Sequence, residues 1–188
     1  MNKLYIGILP GDIGFTKGGG FVGWLIRHGT ASAYAHTFVY HKLIRKFEDG
    51  TEEWQTVEAF PKLNPSEDGV CYRIRTEAPS KVIRLWRSQR EQQAILDKSH
   101  SLVGTRYGWG EITRIALRMV GIKVKGWESN HRMICSNHCT QAALAARPQL
   151  KAFFKYKPSD VWPGYLAEVS DGIDWAQDRI NESIRRNK

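Results

Sequence analysis

The sequence predicts an α+β fold, and three observations predict it. Strand-like runs fill the first half of the chain, helical patterns fill the second, and no internal repeat or low-complexity linker divides them. At 188 residues the chain has the length of one domain around a single core, so 1–188 is expected to fold as one unit. Its 41% hydrophobic and 25% charged residues are the proportions of an ordinary globular protein rather than a disordered or membrane-embedded one.

The N-terminal stretch "MNKLYIGILPGDIGF" reads as a first strand and a turn at Pro10, Gly11 and Asp12. Its apolar run is shorter than the roughly 7–15 residues of a signal sequence, and no small-residue cleavage site follows. A cytoplasmic protein is expected, or a phage-encoded one delivered by another route. "GGGFVGWLIRHGT" reads as a short helix entered through glycines. "AHTFVYH", "WQTVEAF", "VCYRIR" and "KVIRLWR" are β-rich runs, separated in part by the turn clusters "EDG" and "NPSEDG". In the first of them His36, Phe38 and Tyr40 share one face, and Thr37, Val39 and His41 the other.

The helical half opens with Ser88 and Glu91, at capping-box spacing ahead of a segment closed by Gly104. "EITRIALRMVG" repeats apolar residues at Ile112, Ile115, Ala116 and Met119 before Gly121. "ICSNHCTQAALAARP" is a third helix, stopped near Pro148. In the last segment Ile173, Ala176, Ile180 and Ile184 align on one face of a basic C-terminal helix, about 171–188. No window approaches the roughly 18 apolar residues of a membrane span, so no integral membrane segment is expected.

The net charge of +9 attracts polyanions such as nucleic acid, anionic lipid or acidic cell-wall polymers. That charge is dispersed, and only "RINESIRRNK" concentrates it, which fits a solvated helix end and at most a weak polyanion contact. No zinc-finger, recognition-module or arginine-rich signature turns the charge into a nucleic-acid function.

Function turns on "MICSNHCTQAALAA", where Cys135, His138 and Cys139 stand at i, i+3 and i+4. With Cys71 the cysteines number three, too few and too odd for a disulfide framework and suited to a reducing compartment. A structural zinc site wants four ligands, usually in separated pairs, and the chain offers no second pair; no metal and no cofactor is expected. Cys139 heads the stripe Cys139, Ala142, Ala143, Ala146, whose small side chains let a helix lie close to a sheet, so its expected role is packing. Cys71, alone in a strand, is read the same way.

Cys135 differs by position. It falls at the predicted start of its helix, where unpaired N–H groups and the macrodipole favour a thiolate. A nucleophile also needs a base. His36, early in the clearest strand, can supply one, and Glu58, acidic between Val57 and Ala59, can orient it if the two strands pair antiparallel.

The succession "GDIGF", "AYAHTFVY", "TVEAF", "GTRYGWG" and "ICSNHC" resembles the circularly permuted branch of the NlpC-type papain-like cysteine hydrolases, a fold related to lecithin:retinol acyltransferase-like proteins. The likeness covers about residues 10 to 145 and extends to "KPSDVWPGYL". It implies an antiparallel sheet packed against the helix that bears the Cys, with the helix following the sheet. By position it implies Cys135 as nucleophile, His36 as base and then acid, and Glu58 as orienter. Tyr107 and Ser136 take the substrate-binding and oxyanion positions, Gly104 and Gly108 shape the Tyr107 loop, and Asp12 serves the opening turn. Trp109 falls to either the core or the cleft. Cell-wall members carry an acid directly before the Cys, which recognises a free amine; Ile134 stands there instead.

The expected activity is hydrolysis of a peptide or peptidoglycan stem-peptide amide through a Cys-His-Glu triad and an acyl-enzyme. A lipid acyltransferase or thioesterase on the same fold, and a non-catalytic basic binding module, are the alternatives. The mixture of Arg106, Glu111, Asn130 and Arg132 with Tyr107, Trp109 and Trp127 favours a polar peptide over an acyl tail.

Overall fold

Asp12 decides where the sheet begins. Its carboxylate accepts the Leu9 N–H at 2.9 Å and a two-pronged contact from Arg84, Nε at 2.8 Å and Nη2 at 2.7 Å. This closes the turn, and strand β1 (Ile13–Thr16) follows it. The computed structural model describes residues 7–61, 68–119, 121–122 and 132–186; the side chains at 20–22, 25, 115–116, 118–119 and 180–186 lie outside that description. The strand expected ahead of the turn falls mostly on residues 1–6, outside the described residues, and 7–12 form loop and turn.

After helix α1 (Gly20–Gly29) come strands β2 (His36–Lys46), β3 (Glu52–Phe60), β4 (Gly69–Arg75) and β5 (Lys81–Ile83). They form one five-stranded sheet in the order β4-β3-β2-β1-β5, with every neighbouring pair antiparallel. Helices α2 (Gln89–Ser101), α3 (Trp109–Met119), α4 (Cys135–Ala146) and α5 (Pro163–Arg186) follow, so the architecture is α+β as expected. Two short strands, β6 (Arg106–Tyr107) and β7 (Arg132–Met133), pair parallel. Two residues are too few to leave a period in the sequence, and these strands were not anticipated.

Helix α4 lies against one face of the sheet. Cys139, Ala142 and Ala143 are fully buried there with Ile13, Phe15 and Val39, and α2 adds Ile95. Small side chains bring the helix axis close, as the stripe predicts. On the opposite face Phe38, Tyr40 and Trp54 form a second cluster, with successive ring centroids 5.2 Å apart. A Cβ on Gly14 would sit 2.5 Å from the Phe38 ring, so a glycine is what lets that ring lie across β1.

Element ends differ from expectation in instructive ways. Ser88 Oγ accepts the Glu91 N–H at 3.2 Å, but Glu91 Oε2 reaches past Ser88 to the Arg87 N–H at 2.7 Å, so the reciprocal half of the capping box moves back one residue. Helix α2 ends at Ser101, and Gly104 takes φ +88 in the turn beyond. The C-terminal helix starts at Pro163 rather than near 171, because Leu166, Val169 and Ile173 already form a buried stripe. Of the two expected apolar faces, the side chains of Ile115, Ala116, Met119, Ile180 and Ile184 lie outside the described residues. Among the described residues no helix is long and apolar enough to cross a membrane.

Candidate active site

Cys135 is the first residue of α4, with Ile134 at the N-cap. His138 is the first residue of the helix whose N–H finds an intrahelical carbonyl, that of Ile134 at 3.0 Å. The N–H groups of Cys135, Ser136 and Asn137 therefore form the positive end of the helix. Cys135 is only 3% exposed and packs among Val57, Ala59, Val70, Tyr107, Met133 and Ile134.

The first residue of β2 meets it. His36 is hydrogen-bonded to the Cys135 thiol, and its Nε2 lies 2.5 Å from Glu58 Oε2. The antiparallel register that sets Val39 opposite Val57 carries Glu58 to the same face as His36, one diagonal away. Three segments thus bring Cys135, His36 and Glu58 into a single hydrogen-bonded chain.

Glu58 is 0% exposed, and a carboxylate there needs strong partners. Arg75 supplies a fork, Nε to Oε1 at 3.0 Å and Nη2 to Oε2 at 2.7 Å, and Thr56 Oγ1 donates to Oε1 at 3.0 Å. Burial pushes the Glu58 carboxyl up, but the His36 and Arg75 hydrogen bonds overcome it and hold the group far below the usual carboxylate range. For His36 burial pulls down, yet the Cys135 charge and hydrogen bond, with Glu58 behind, raise it to about 9. Cys135 moves down: burial resists, and the His36 charge, its hydrogen bond and the Thr37 backbone N–H prevail. The two shifts run in the directions that favour a thiolate beside an imidazolium.

Arg75 and Thr37 are site residues that no motif of the sequence marks. A cue existed for the first: a buried acid in an apolar strand needs a cation, and "VCYRIR" places Arg73 and Arg75 on one face of the next strand. None existed for Thr37. Its N–H is free for sulfur because the β2–β3 ladder stops at Val39 opposite Val57.

Tyr107 is buried in the Cys135 cluster and also lines a cleft of about 770 Å³ together with His36, Phe60, Arg73 and Arg75. Burial, then the nearby Cys135 charge, pushes its phenol well above the usual range, so it stays an O–H donor. The Ser136 hydroxyl is committed to the Val161 carbonyl at 2.5 Å, which leaves its backbone N–H, one of the three at the helix start, as the group it can offer a ligand. Gly108 approaches so closely that a Cβ would stand 2.9 Å from Glu111 Oε2, and Trp109, half exposed, stacks edge-on against Tyr107 at 5.3 Å. Asp12 serves the opening turn. Trp127 and Asn130 lie outside the described residues.

The other sulfurs and the neighbouring imidazole have separate roles. His138 Nε2 pairs with Ser99 Oγ at 2.9 Å, and its Nδ1 lies 3.8 Å from the Cys139 sulfur. Cys71 is half-buried in β4 opposite Glu58. No cluster of three or more His, Cys, Asp or Glu able to hold a metal is present among the described residues.

No family model matches the chain, and a search of curated proteins finds no match.

Proposed function

We propose that this protein is a thiol hydrolase of a peptide-type amide, built as a circularly permuted papain-like domain. The observation that carries the reading is the continuous chain from the Cys135 thiol through His36 to the buried, fork-held Glu58. The order of elements supports the permutation, since the strands bearing His36 and Glu58 precede the helix bearing Cys135.

The Cys135 thiolate attacks the amide carbonyl carbon, and the oxyanion takes hydrogen bonds from N–H groups at the start of α4 and from the Tyr107 hydroxyl. The His36 imidazolium gives its proton to the departing amine as the C–N bond breaks, leaving a thioester. Water then adds to the thioester while neutral His36 takes its proton; the C–S bond breaks, and the thiolate returns as the acid product leaves. Glu58 keeps the imidazole oriented throughout. The cleft wall beside His36, with Lys17, Arg73, Arg75 and Ser80, suits a polar chain better than an acyl tail.

The test is a panel of muropeptides, short isopeptides, acyl thioesters and phospholipids, run with wild type and Cys135→Ala. Cys135-dependent release of an amine from the peptide members is expected. Turnover confined to the long-chain acyl members would overturn the peptide reading, and absence of any Cys135-dependent turnover would overturn the enzymatic one.

A further inference from the structure

The cleft beside His36 holds more positive charge than the catalytic groups need. Around the Glu58 carboxylate stand three basic side chains, His36, Arg75 and Arg73. His36 and Arg75 make the close contacts with Glu58. The Nε of Arg73 stays 3.8 Å from Glu58 Oε1, outside hydrogen-bond range, and its Nη1 is buried without a partner. Arg73 is nonetheless fixed in place, because its guanidinium lies over the Phe60 ring with Cζ 4.0 Å from the centroid. Its side chain is 34% exposed, a partly desolvated cation on the cleft wall. The acid on that wall, Glu77, is 82% exposed and 4.0 Å from Arg75, too far out to neutralise Arg73. Lys17, exposed on the segment that follows β1, lines the same cleft.

We infer that this cleft selects a carboxylate-bearing substrate chain, whose anionic group is bound by Arg73 with Lys17 as the second cation. The inference rests on the hydrolase reading and specifies its substrate class. Phe60 links the two functions: its ring meets His36 edge-on with centroids 5.9 Å apart and carries Arg73 on its face. At roughly 3.3–3.6 Å per extended residue, the carboxylate therefore lies within about three residues of the bond that is cut. A guanidinium held flat against a ring loses little freedom when it forms a paired hydrogen bond to a carboxylate, so the site is prepared for one.

Protection of Cys135 from iodoacetamide at low ionic strength tests this, with acetyl-triglutamate amide and acetyl-triglutamine amide as the competing peptides. Triglutamate is expected to half-protect at a concentration at least tenfold below triglutamine. Arg73→Gln should shrink that advantage to about twofold or less. Lys17→Gln, a change at an exposed residue, should shrink it about threefold. Lys151→Gln, which removes the same charge from the groove lined by Glu111 and Tyr156, should leave it intact. Equal protection by both peptides would overturn the inference, as would an advantage that survives both cleft variants or one that Lys151→Gln reduces equally. The two readings fail separately. If iodoacetamide alone shows no preference for Cys135 over Cys139, the hydrolase reading falls; if that preference holds and the peptides protect alike, only the carboxylate site falls.

Discussion

Helix α4 carries two buried sulfurs one turn apart, and each has an imidazole for company. Cys135 contacts His36, and Cys139 lies 3.8 Å from His138 Nδ1. Burial acts on both pairs in the same sense, against the thiolate and against the imidazolium. At the second pair burial wins: the Cys139 thiol is pushed far above its usual range, and His138 falls to about 4. At the first pair burial loses, with Cys135 lowered and His36 raised to about 9. The difference lies behind the imidazole. His36 has the Glu58 carboxylate within hydrogen-bond distance, itself held by Arg75; His138 Nε2 has the neutral Ser99 hydroxyl in that place. Proximity of Cys and His therefore does not by itself lower a buried thiol. A buried counter-charge, with a cation to keep it ionised, does.

The comparison breaks first at the sulfurs. Cys135→Ala should reduce turnover on the responsive panel member to background, at least a thousandfold, whereas Cys139→Ala should stay within about twofold and cost on the order of 1–2 kcal/mol of stability for the lost packing. Mass spectrometry after limiting iodoacetamide at pH 6 should find Cys135 labelled before Cys139 and Cys71. Faster labelling of Cys139 would erase the distinction between the pairs.

Glu58→Gln should make the first pair resemble the second. Alkylation of Cys135 at pH 6 is expected to slow at least tenfold, and chemical denaturation should show a loss of about 3–5 kcal/mol, because Arg75 remains buried without its counter-ion. Glu58→Gln/Arg75→Met should regain part of that stability and none of the reactivity; recovery of both would assign Glu58 a packing role alone. In the wild type, reactivity that depends on the imidazolium should fall as pH rises through about 9. The sign is that of a raised base: the His36 contribution to stability is complete below 6.5 and is lost as pH climbs through 9. Glu58, a lowered acid, contributes above 4.5 and loses its contribution as pH falls below that value.

His138 should behave in the opposite way. Its folded value of about 4 lies below the 6.5 of an exposed imidazole, so its contribution is complete above 6.5 and is lost as pH falls through 4. Between those limits stability should decline by about 1.4 kcal/mol per pH unit. His138→Gln should flatten that decline in acid titrations followed by circular dichroism, with turnover within about twofold of wild type. A slope unchanged by the substitution would show that His138 does not drive the acid sensitivity. The smallest effect belongs to Ser99→Ala, which leaves the His138 Nε2 without its partner: about 1–2 kcal/mol in thermal or chemical unfolding, and no change in Cys135 labelling.

Much of this molecule was legible in the sequence, because it rests on short-range periodicity. Alternation marked β2 and β3, the small stripe at Cys139, Ala142 and Ala143 marked the face of α4 that meets the sheet, and Ser88 marked the start of α2. Those patterns also placed Cys135 at a helix start and His36 and Glu58 on strands able to pair. They could not bring Arg75 to Glu58, free the Thr37 N–H for sulfur, or seat Tyr107 beside Cys135 through two strands of two residues each. Each of those depends on register and on where a ladder stops, and these are set by contacts between segments far apart in the chain. The sequence by itself determined which residues carry reactive groups and which elements bear them. Only the tertiary structure decided that the Cys135 thiol is lowered against burial while the Cys139 thiol is raised by it, because that outcome balances burial against the distance to a charge on another strand, and neither quantity exists until the chain has folded.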